Sequence, residues 1–136
     1  MAEAVNLELV SPERLLIGEA VEQVTIPGGE GDYTVLAGHA PVVSTVRPGT
    51  MTIYRHDGQV ERIYVRGGFA QVTADALIVL AEEAIPLSEL DRETLDQEIR
   101  NAEEDVSDAA DDERRRRAKE RFDHLRQLHI ALDLPV

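Results

Sequence analysis

The hydrophobic pattern of this chain changes its period once, near Pro86, and this change restricts the possible folds more than any other feature. Before Pro86, apolar residues alternate with polar ones, as in Val5, Leu7 and Leu9. A period of two is typical of strands that bury one face. After Pro86 the apolar residues recur with the period of an α-helix. We therefore expect a β-structured domain over residues 1–86 and a helical domain over residues 87–136.

The first domain is divided into short strands by turn residues. Asp57-Gly58 separates two β-patterned segments and is a strong signal for a tight hairpin. A second hairpin is expected at residues 73–75. Apolar alternation also occurs at Val24 and Ile26, at Ile53, at Ile63 and Val65, and at Ile78 and Leu80. These features predict eight to ten antiparallel strands in a β-sandwich or flattened barrel.

The second domain contains two amphipathic stripes. The first consists of Leu95, Ile99, Ala102 and Val106, and the second of Ala118, Phe122, Leu125, Leu128 and Leu132. Ser88 followed by Asp91 predicts a capped helix start. Small and acidic residues over 107–112 interrupt the pattern, and a second helix is expected to begin near Asp112. The pattern thus predicts an antiparallel two-helix hairpin.

Charge is divided unevenly between the two predicted helices. Residues 88–112 hold eleven acidic residues and two arginines, whereas residues 113–136 hold four acidic and seven basic residues. Antiparallel pairing predicts that Glu103, Glu104, Asp105 and Asp108 approach the block Arg114–Arg117. Because the apolar stripes are narrow and rich in alanine, we expect a loosely held arm.

The composition excludes several classes of function. The chain has 136 residues, no cysteine and a formal net charge of −13. A charge of this sign opposes binding to nucleic acid or to an anionic membrane surface. The N-terminal residues do not resemble a secretory signal, and no apolar run has the length of a membrane span. We expect protein partners, no nucleic acid, and a location in the bacterial cytoplasm.

The polar residues do not form a recognisable catalytic or metal-binding motif. The four histidines, His39, His56, His124 and His129, lack the spacing of a metal site. No serine lies in a nucleophile motif, and Gly67-Gly68 is interpreted as a strand bend rather than a phosphate cradle. We expect no catalytic residue, no metal and no cofactor.

Residues 26–41 contain four glycines and two prolines, which predict a strand, an ordered loop, a short strand and another turn. This segment, with Arg47-Pro48-Gly49 after it, closely resembles the epsilon subunit of the bacterial F-type ATP synthase, where a PGxxG…VLPGHAP pattern precedes such a turn. Residues 66–72 and 80–84 resemble the same family. Thr34 and Ala37 depart from the family's glycine and proline.

The resemblance implies a function for each domain. It implies a non-catalytic subunit of the proton-translocating ATP synthase, whose sandwich connects the gamma subunit to the c ring during ATP synthesis. Asp32 and His39 occupy the positions of the family's c-ring contact. The helical arm, with Arg114–Arg117 and Arg121, would contact the alpha, beta or gamma subunits and inhibit ATP hydrolysis. The complex would place the chain on the cytoplasmic face of the bacterial inner membrane.

The start of the first predicted helix contains part of a nucleotide-binding pattern. Some members of the family bind ATP through an I/L-D-x-x-R-A pattern, of which Leu90 and Asp91 keep the first two positions. Thr94 and Leu95 stand where arginine and alanine are expected, so Asp91 is a doubtful nucleotide ligand and ATP is not expected to bind. Two alternatives stay open at this point: a cupin-type β-sandwich enzyme, and a soluble sensor whose hairpin opens on binding a ligand.

Overall fold

Eight strands and two helices make up residues 4–133, which are the residues that the computed structural model describes. The strands are β1 (Val5–Val10), β2 (Leu15–Val21), β3 (Gln23–Gly28), β4 (Gly31–Leu36), β5 (Val42–Thr45), β6 (Gly49–Tyr54), β7 (Val60–Val72) and β8 (Ala76–Pro86). A 3-10 turn at Leu87–Glu89 is followed by α1 (Arg92–Asp108) and α2 (Asp112–Asp133). The chain forms two compact units, the first ending at Ser88 and the second beginning at Glu89. The predicted β-sandwich and the helical hairpin after it are confirmed.

The strands are hydrogen-bonded in the order β2, β1, β8, β7, β6, β3, β4, and β5 pairs with β7. The pair of β1 with β8 is parallel, and the other strand pairs are antiparallel. Residues 60–65 of β7 pair with β6, whereas residues 69–72 pair with β5. The long strand β7 therefore contributes to both layers of the sandwich.

Two glycines allow β7 to bend between its two halves. Gly67 and Gly68 have φ angles of +70° and +108°, which side chains of L-residues rarely permit. A Cβ atom on Gly68 would also overlap the carbonyl oxygen of Leu80 on β8. These φ angles mark the bend that the sequence predicts, and glycine is required at position 68 both by its φ angle and by the nearby backbone of β8.

The core lies between the two layers and consists of apolar side chains. Its most deeply buried members include Leu7, Leu9, Val24, Ile26, Met51, Ile53, Val65, Leu77 and Val79. Tyr64 is also buried, and desolvation raises the pKa of its phenol above the ordinary value. These side chains alternate with exposed ones along β1, as the period of two predicts.

The predicted orientation of β8 is wrong. Leu77 and Val79 face the core, whereas Ile78 and Leu80 are exposed. Residues 77–81 are apolar at every position, so a period of two cannot decide which set is buried. Pairing with β1 and β7 decides the orientation instead.

The helix α1 begins later than the sequence predicts. Leu87 is buried within the first unit, and residues 87–89 form one 3-10 turn before the helix. Asp91, rather than Ser88, is the N-cap residue, and its carbonyl accepts the first helical hydrogen bond from Leu95 at 2.9 Å. The predicted start of α2 at Asp112 is correct.

The two helices contact each other through small and medium-sized apolar residues. Leu95 and Ala102 of α1 are buried, as are Leu125, Leu128 and Ala131 of α2. Ile99, Val106, Ala118, Phe122 and Leu132 of the predicted stripes are only partly buried. Both predicted stripes are therefore present. Ala131 is also buried, although it is not part of the predicted stripe.

Candidate partner-binding sites

Asp32 lies at the tip of the hairpin formed by β3 and β4, where it pairs in register with Pro27. Its side chain is 62% exposed and forms an ion pair with the guanidinium group of Arg47, which is 45% exposed. The Nε–H of the same arginine donates to the carbonyl of Gly28 at 3.1 Å. The carboxylate is therefore accessible at the surface and held from one side.

His39 lies in the loop after β4, so it and Asp32 are at opposite ends of this strand rather than in one loop. Its Nδ1 lies 2.7 Å from the carbonyl oxygen of Ala40 and therefore donates to it. Its ring centroid lies 6.5 Å from that of Tyr33, whose hydroxyl is hydrogen-bonded to Ser44 at 2.5 Å. The Tyr33 side chain thus connects the imidazole region to β5.

A shallow cavity of about 340 Å³ lies between the hairpin tip and β5. Its walls include Gly28, Gly29, Tyr33, Ser44 and Thr45. The backbone N–H of Gly29 donates to the carbonyl of Thr45 at 2.9 Å. A Cβ atom at Gly29 would overlap the Thr45 hydroxyl, so glycine there permits this close approach.

This site also contains Arg47, Tyr33 and Ser44, which were not predicted from the sequence as parts of it. Arg47 is visible in the sequence only as the first residue of a turn, fifteen positions after Asp32. The one sequence signal that could have indicated the Asp32–Arg47 ion pair is the Arg47-Pro48-Gly49 turn, which follows the glycine-rich hairpin.

An exposed apolar surface crosses the outer side of the sandwich and was also missed. We call it the apolar face and define it by Val10, Leu15, Phe69, Ile78 and Leu80. The strand register places Leu15 beside Val10, Val10 beside Leu80, and Leu80 beside Phe69. Leu15, Phe69 and Leu80 are 58%, 56% and 47% exposed. A contiguous apolar row of this kind is typical of a protein interface, and the uninterrupted apolar run over residues 77–81 was its signal.

The arginine block of the helical arm is exposed and paired within its own segment. Arg114 and Arg115 pair with Asp111 and Asp112 at 3.6 and 3.2 Å. Arg116 and Arg117 pair with Glu120 and Glu113 of α2 at 3.2 and 2.9 Å. Arg121 is exposed one turn further on.

The four predicted acids of α1, Glu103, Glu104, Asp105 and Asp108, form no ion pair with this block among residues 4–133, because the arginines pair locally. Glu103, Glu104 and Asp105 are exposed, whereas the adjacent Ala102 faces α2 and is buried. Asp111 caps α2 by accepting from the backbone N–H of Arg114 at 2.8 Å. The acids that pair with the arginines stand three or four residues from them, so both partners lie on the same face of the helix. Local pairs thus replace the predicted pairs between helices.

Polar contacts between the helices occur at the opposite end of the hairpin. Arg92 of α1 pairs with Asp133 of α2 at 2.6 Å. His129 Nε2 lies 3.1 Å from Asp96, and its Nδ1 lies 3.3 Å from Asp133. These contacts join the start of α1 to the end of α2.

Asp91 stands at the start of α1. Its carboxylate accepts a hydrogen bond from the Thr94 hydroxyl at 2.6 Å, and this bond lowers the pKa of Asp91 below its ordinary value. Thr94, at the position where the nucleotide-binding pattern has an arginine, is thus occupied with a side-chain hydrogen bond to Asp91, while Leu95 is buried.

Two features are absent from residues 4–133, the part of the chain that the structure describes. Within this range, the histidine and acidic side chains do not form a group of three or more arranged to hold a metal ion. Neither helix in this range has the length and apolar character needed to cross a membrane.

Comparisons with known proteins agree with the fold. Residues 4–87 match the family model described as ATP synthase, Delta/Epsilon chain, beta-sandwich domain. The ATP synthase epsilon chain of Parvibaculum lavamentivorans is 52% identical over 94% of this chain and 97% of the relative. That of Mesorhizobium japonicum is 46% identical over 97% of this chain and 98% of the relative.

A solved structure is similar over nearly the whole length. A chain in the cryo-EM structure of the Euglena gracilis mitochondrial ATP synthase, with OSCP, F1 and c-ring, has a TM-score of 0.81 and 28% identity. The similarity covers 97% of this chain and 82% of that one. By the family model and the curated relatives together, this chain belongs to the ATP synthase epsilon chains, as a non-catalytic subunit of that enzyme.

Proposed function

We propose that this chain couples the c ring of a bacterial ATP synthase to its gamma subunit, so that proton-driven rotation reaches the catalytic head during ATP synthesis. The observation that carries the proposal is the presence of two chemically different surfaces on one sandwich. One is the apolar face, and the other is the polar hairpin tip with Asp32 and His39. Through the complex, the chain would lie on the cytoplasmic face of the inner membrane.

The two surfaces are joined by short structural links. The hairpin tip is bonded to β5 through Gly29 and Thr45, and Thr45 pairs with Phe69 of the apolar face. A rotor component has to transmit torque without deforming, and a hydrogen-bonded sheet over a close-packed core resists deformation. Force applied at the tip would thus pass through β5 and β7 to the apolar face.

The apolar face suits a permanent contact with the gamma subunit. Burying its exposed side chains removes apolar area from water, which is the main stabilising contribution in stable interfaces. The hairpin tip suits the polar loops of the c ring, because an exposed carboxylate and an imidazole form hydrogen bonds without burying an unpaired charge.

Replacing two anchors of the apolar face tests the first contact. The double variant Phe69→Ser/Leu80→Ser is expected to weaken binding to F1 lacking its epsilon subunit by at least about tenfold. The matched control is Val60→Ser, an exposed apolar residue at the opposite end of β7. Titration of each variant into the depleted F1 gives the affinity. Equal affinity of the double variant and the control would contradict the assignment of the apolar face.

The helical arm supplies a second candidate function, inhibition of ATP hydrolysis. The favouring observation is that four consecutive arginines are exposed and form ion pairs with exposed acids close to them in the sequence. Such pairs contribute only about 0.2 to 1 kcal/mol each, so an acidic surface on the alpha or beta subunits could replace them.

Truncation after Ser88 tests the inhibitory role in the whole complex. ATP hydrolysis by the complex with the truncated chain is expected to rise, and changing Arg114–Arg117 to glutamine is expected to give part of that rise. The matched control changes Glu103 and Glu104 to glutamine, which alters the charge of the arm but not the arginines. Unchanged hydrolysis after truncation would remove the inhibitory role.

We expect no nucleotide to bind to the arm. Thr94 is bonded to Asp91, and Arg92, the nearest arginine, is paired with Asp133. Calorimetry of the isolated chain with ATP tests this expectation and the ligand-sensor alternative together. Saturable heat of binding would contradict the first and favour the second.

A further inference from the structure

Arg47 makes three separate contacts with the tip of the β3–β4 hairpin. Its backbone N–H donates to the carbonyl of Pro27 at 2.9 Å, and its Nε–H donates to the carbonyl of Gly28 at 3.1 Å. One Nη group forms the ion pair with Asp32. Both the main chain and the side chain of this residue therefore hold the tip.

The tip has few constraints of its own. Residues 28–31 include three glycines, and Gly31 has a φ of +141°. Glycine loses more conformational freedom on ordering than any other residue. β4 is the last strand of the hydrogen-bonded order, so in the part of the chain that the structure describes β3 alone pairs with it. Without outside contacts, the direction of the Asp32 side chain would vary.

Arg47 is itself held by the rigid part of the sandwich. The N–H of the preceding Val46 donates to the carbonyl of Gly68 at 3.1 Å, and the Val46 side chain is buried in the core. The following Pro48 restricts the backbone of Arg47. The guanidinium group thus extends from an anchored backbone, and its planar fork can bond a carbonyl and a carboxylate at the same time.

We propose that Arg47 is a positioning residue that fixes Asp32 in the direction needed for its partner contact. This inference rests on the proposed contact between the hairpin tip and the c ring. The exposed oxygen of Asp32 meets the partner, while Arg47 determines where that oxygen lies. Lysine at position 47 would keep the charge but lose the fork, because an ammonium group presents no planar pair of donors.

Hydrogen exchange in the isolated chain tests the positioning directly. Arg47→Met is expected to speed exchange of the amides over residues 29–32 by about tenfold, since each protected amide opens more often when a restraint is lost. Arg47→Lys is expected to give an intermediate rate. The matched control is Arg55→Met, because Arg55 pairs with Glu19 and with Glu61 at 2.8 Å on the same unit. If amide exchange over residues 29–32 is unchanged in Arg47→Met, the inference is overturned, whichever residues the c ring contacts.

Coupling in the assembled enzyme distinguishes positioning from a purely structural role. The readout is the proton pumping obtained per ATP hydrolysed in membrane vesicles that carry each variant. Asp32→Asn and Arg47→Met are each expected to lower this ratio by about two- to fivefold, as expected for loss of one exposed charged contact. Because Arg47 acts through Asp32, the double variant should be no worse than Asp32→Asn alone.

Three outcomes separate the inference from the proposal on which it rests. If Asp32→Asn lowers coupling and Arg47→Met does not, the c-ring contact stands and the positioning role is overturned. If the two effects add, Arg47 acts independently of Asp32 and the inference is overturned. If Asp32→Asn leaves coupling unchanged, the c-ring contact at Asp32 fails, and the exchange experiment alone reports what Arg47 does to the tip.

Discussion

The sandwich and the helical arm bury apolar side chains to very different extents. The sandwich has a cluster of buried residues contributed by all strands except β5, including Leu9, Ile53 and Val79. Within residues 4–133, the buried side chains of the arm are Leu95, Ala102, Leu125, Leu128 and Ala131, two of which are alanines. Stability scales with buried apolar area, so one chain contains a unit suited to bearing load and a unit suited to rearrangement.

The largest expected effect comes from removing a core side chain in each unit. Ile53→Ala is expected to lower the free energy of unfolding of the sandwich by about 2 to 5 kcal/mol, through lost burial and a residual cavity. Leu128→Ala is expected to leave the unfolding midpoint of the sandwich unchanged and to speed amide exchange in α1 and α2. Denaturant unfolding and hydrogen exchange measure the two effects. A shift in the unfolding midpoint of the sandwich caused by Leu128→Ala would contradict this contrast between the two units.

A smaller effect is expected at the bend of β7. Gly68→Ala combines a positive φ with overlap of the Leu80 carbonyl, and we expect a loss of about 1 to 3 kcal/mol in the unfolding of the sandwich. Gly58→Ala is the matched control, since Gly58 has a φ of +87° but open space around its Cα. Thermal unfolding gives both values. Equal losses would mean that backbone strain alone, and not the contact with β8, requires glycine at the bend.

The smallest effect is expected for the polar contacts of the arm. Arg92→Met removes the pair with Asp133 between α1 and α2, and we expect a loss of about 0.2 to 1 kcal/mol in the arm and none in the sandwich. The effect should decrease as salt is added, because exposed charges are screened. Exchange rates of the α1 amides at low and high salt measure it. Arg100→Met is the control, since Arg100 donates to Gln97 of its own helix.

The fold was predictable where local signals were unambiguous. The Asp57-Gly58 hairpin, the bend at Gly67-Gly68 and the start of α2 are each specified by a few neighbouring residues. The orientation of β8 was not predictable, because residues 77–81 are apolar on both faces. The apolar residues on both sides of β8 have a structural consequence. One set contributes to the core and the other to the apolar face.

The candidate site was predictable only in part. Asp32 and His39 stand out because the family pattern includes them, and their contact with the c ring stays a prediction. The pair of Asp32 with Arg47 depends on the return of the chain from β5 to β6, which no local pattern specifies. The pairing of Arg114–Arg117 was mispredicted because the charge count ignored which side of α1 the acids occupy.

The parallel pairing of β1 with β8 has a consequence for how the chain folds during synthesis. Leu7 is aligned with Leu77, so the first strand has to wait for about seventy further residues before its second neighbour exists. Pairings so distant along the chain form slowly, because a large loop has to close first. The sandwich is therefore expected to complete itself only after the ribosome has released β8, and until then β1 presents an open edge to other chains.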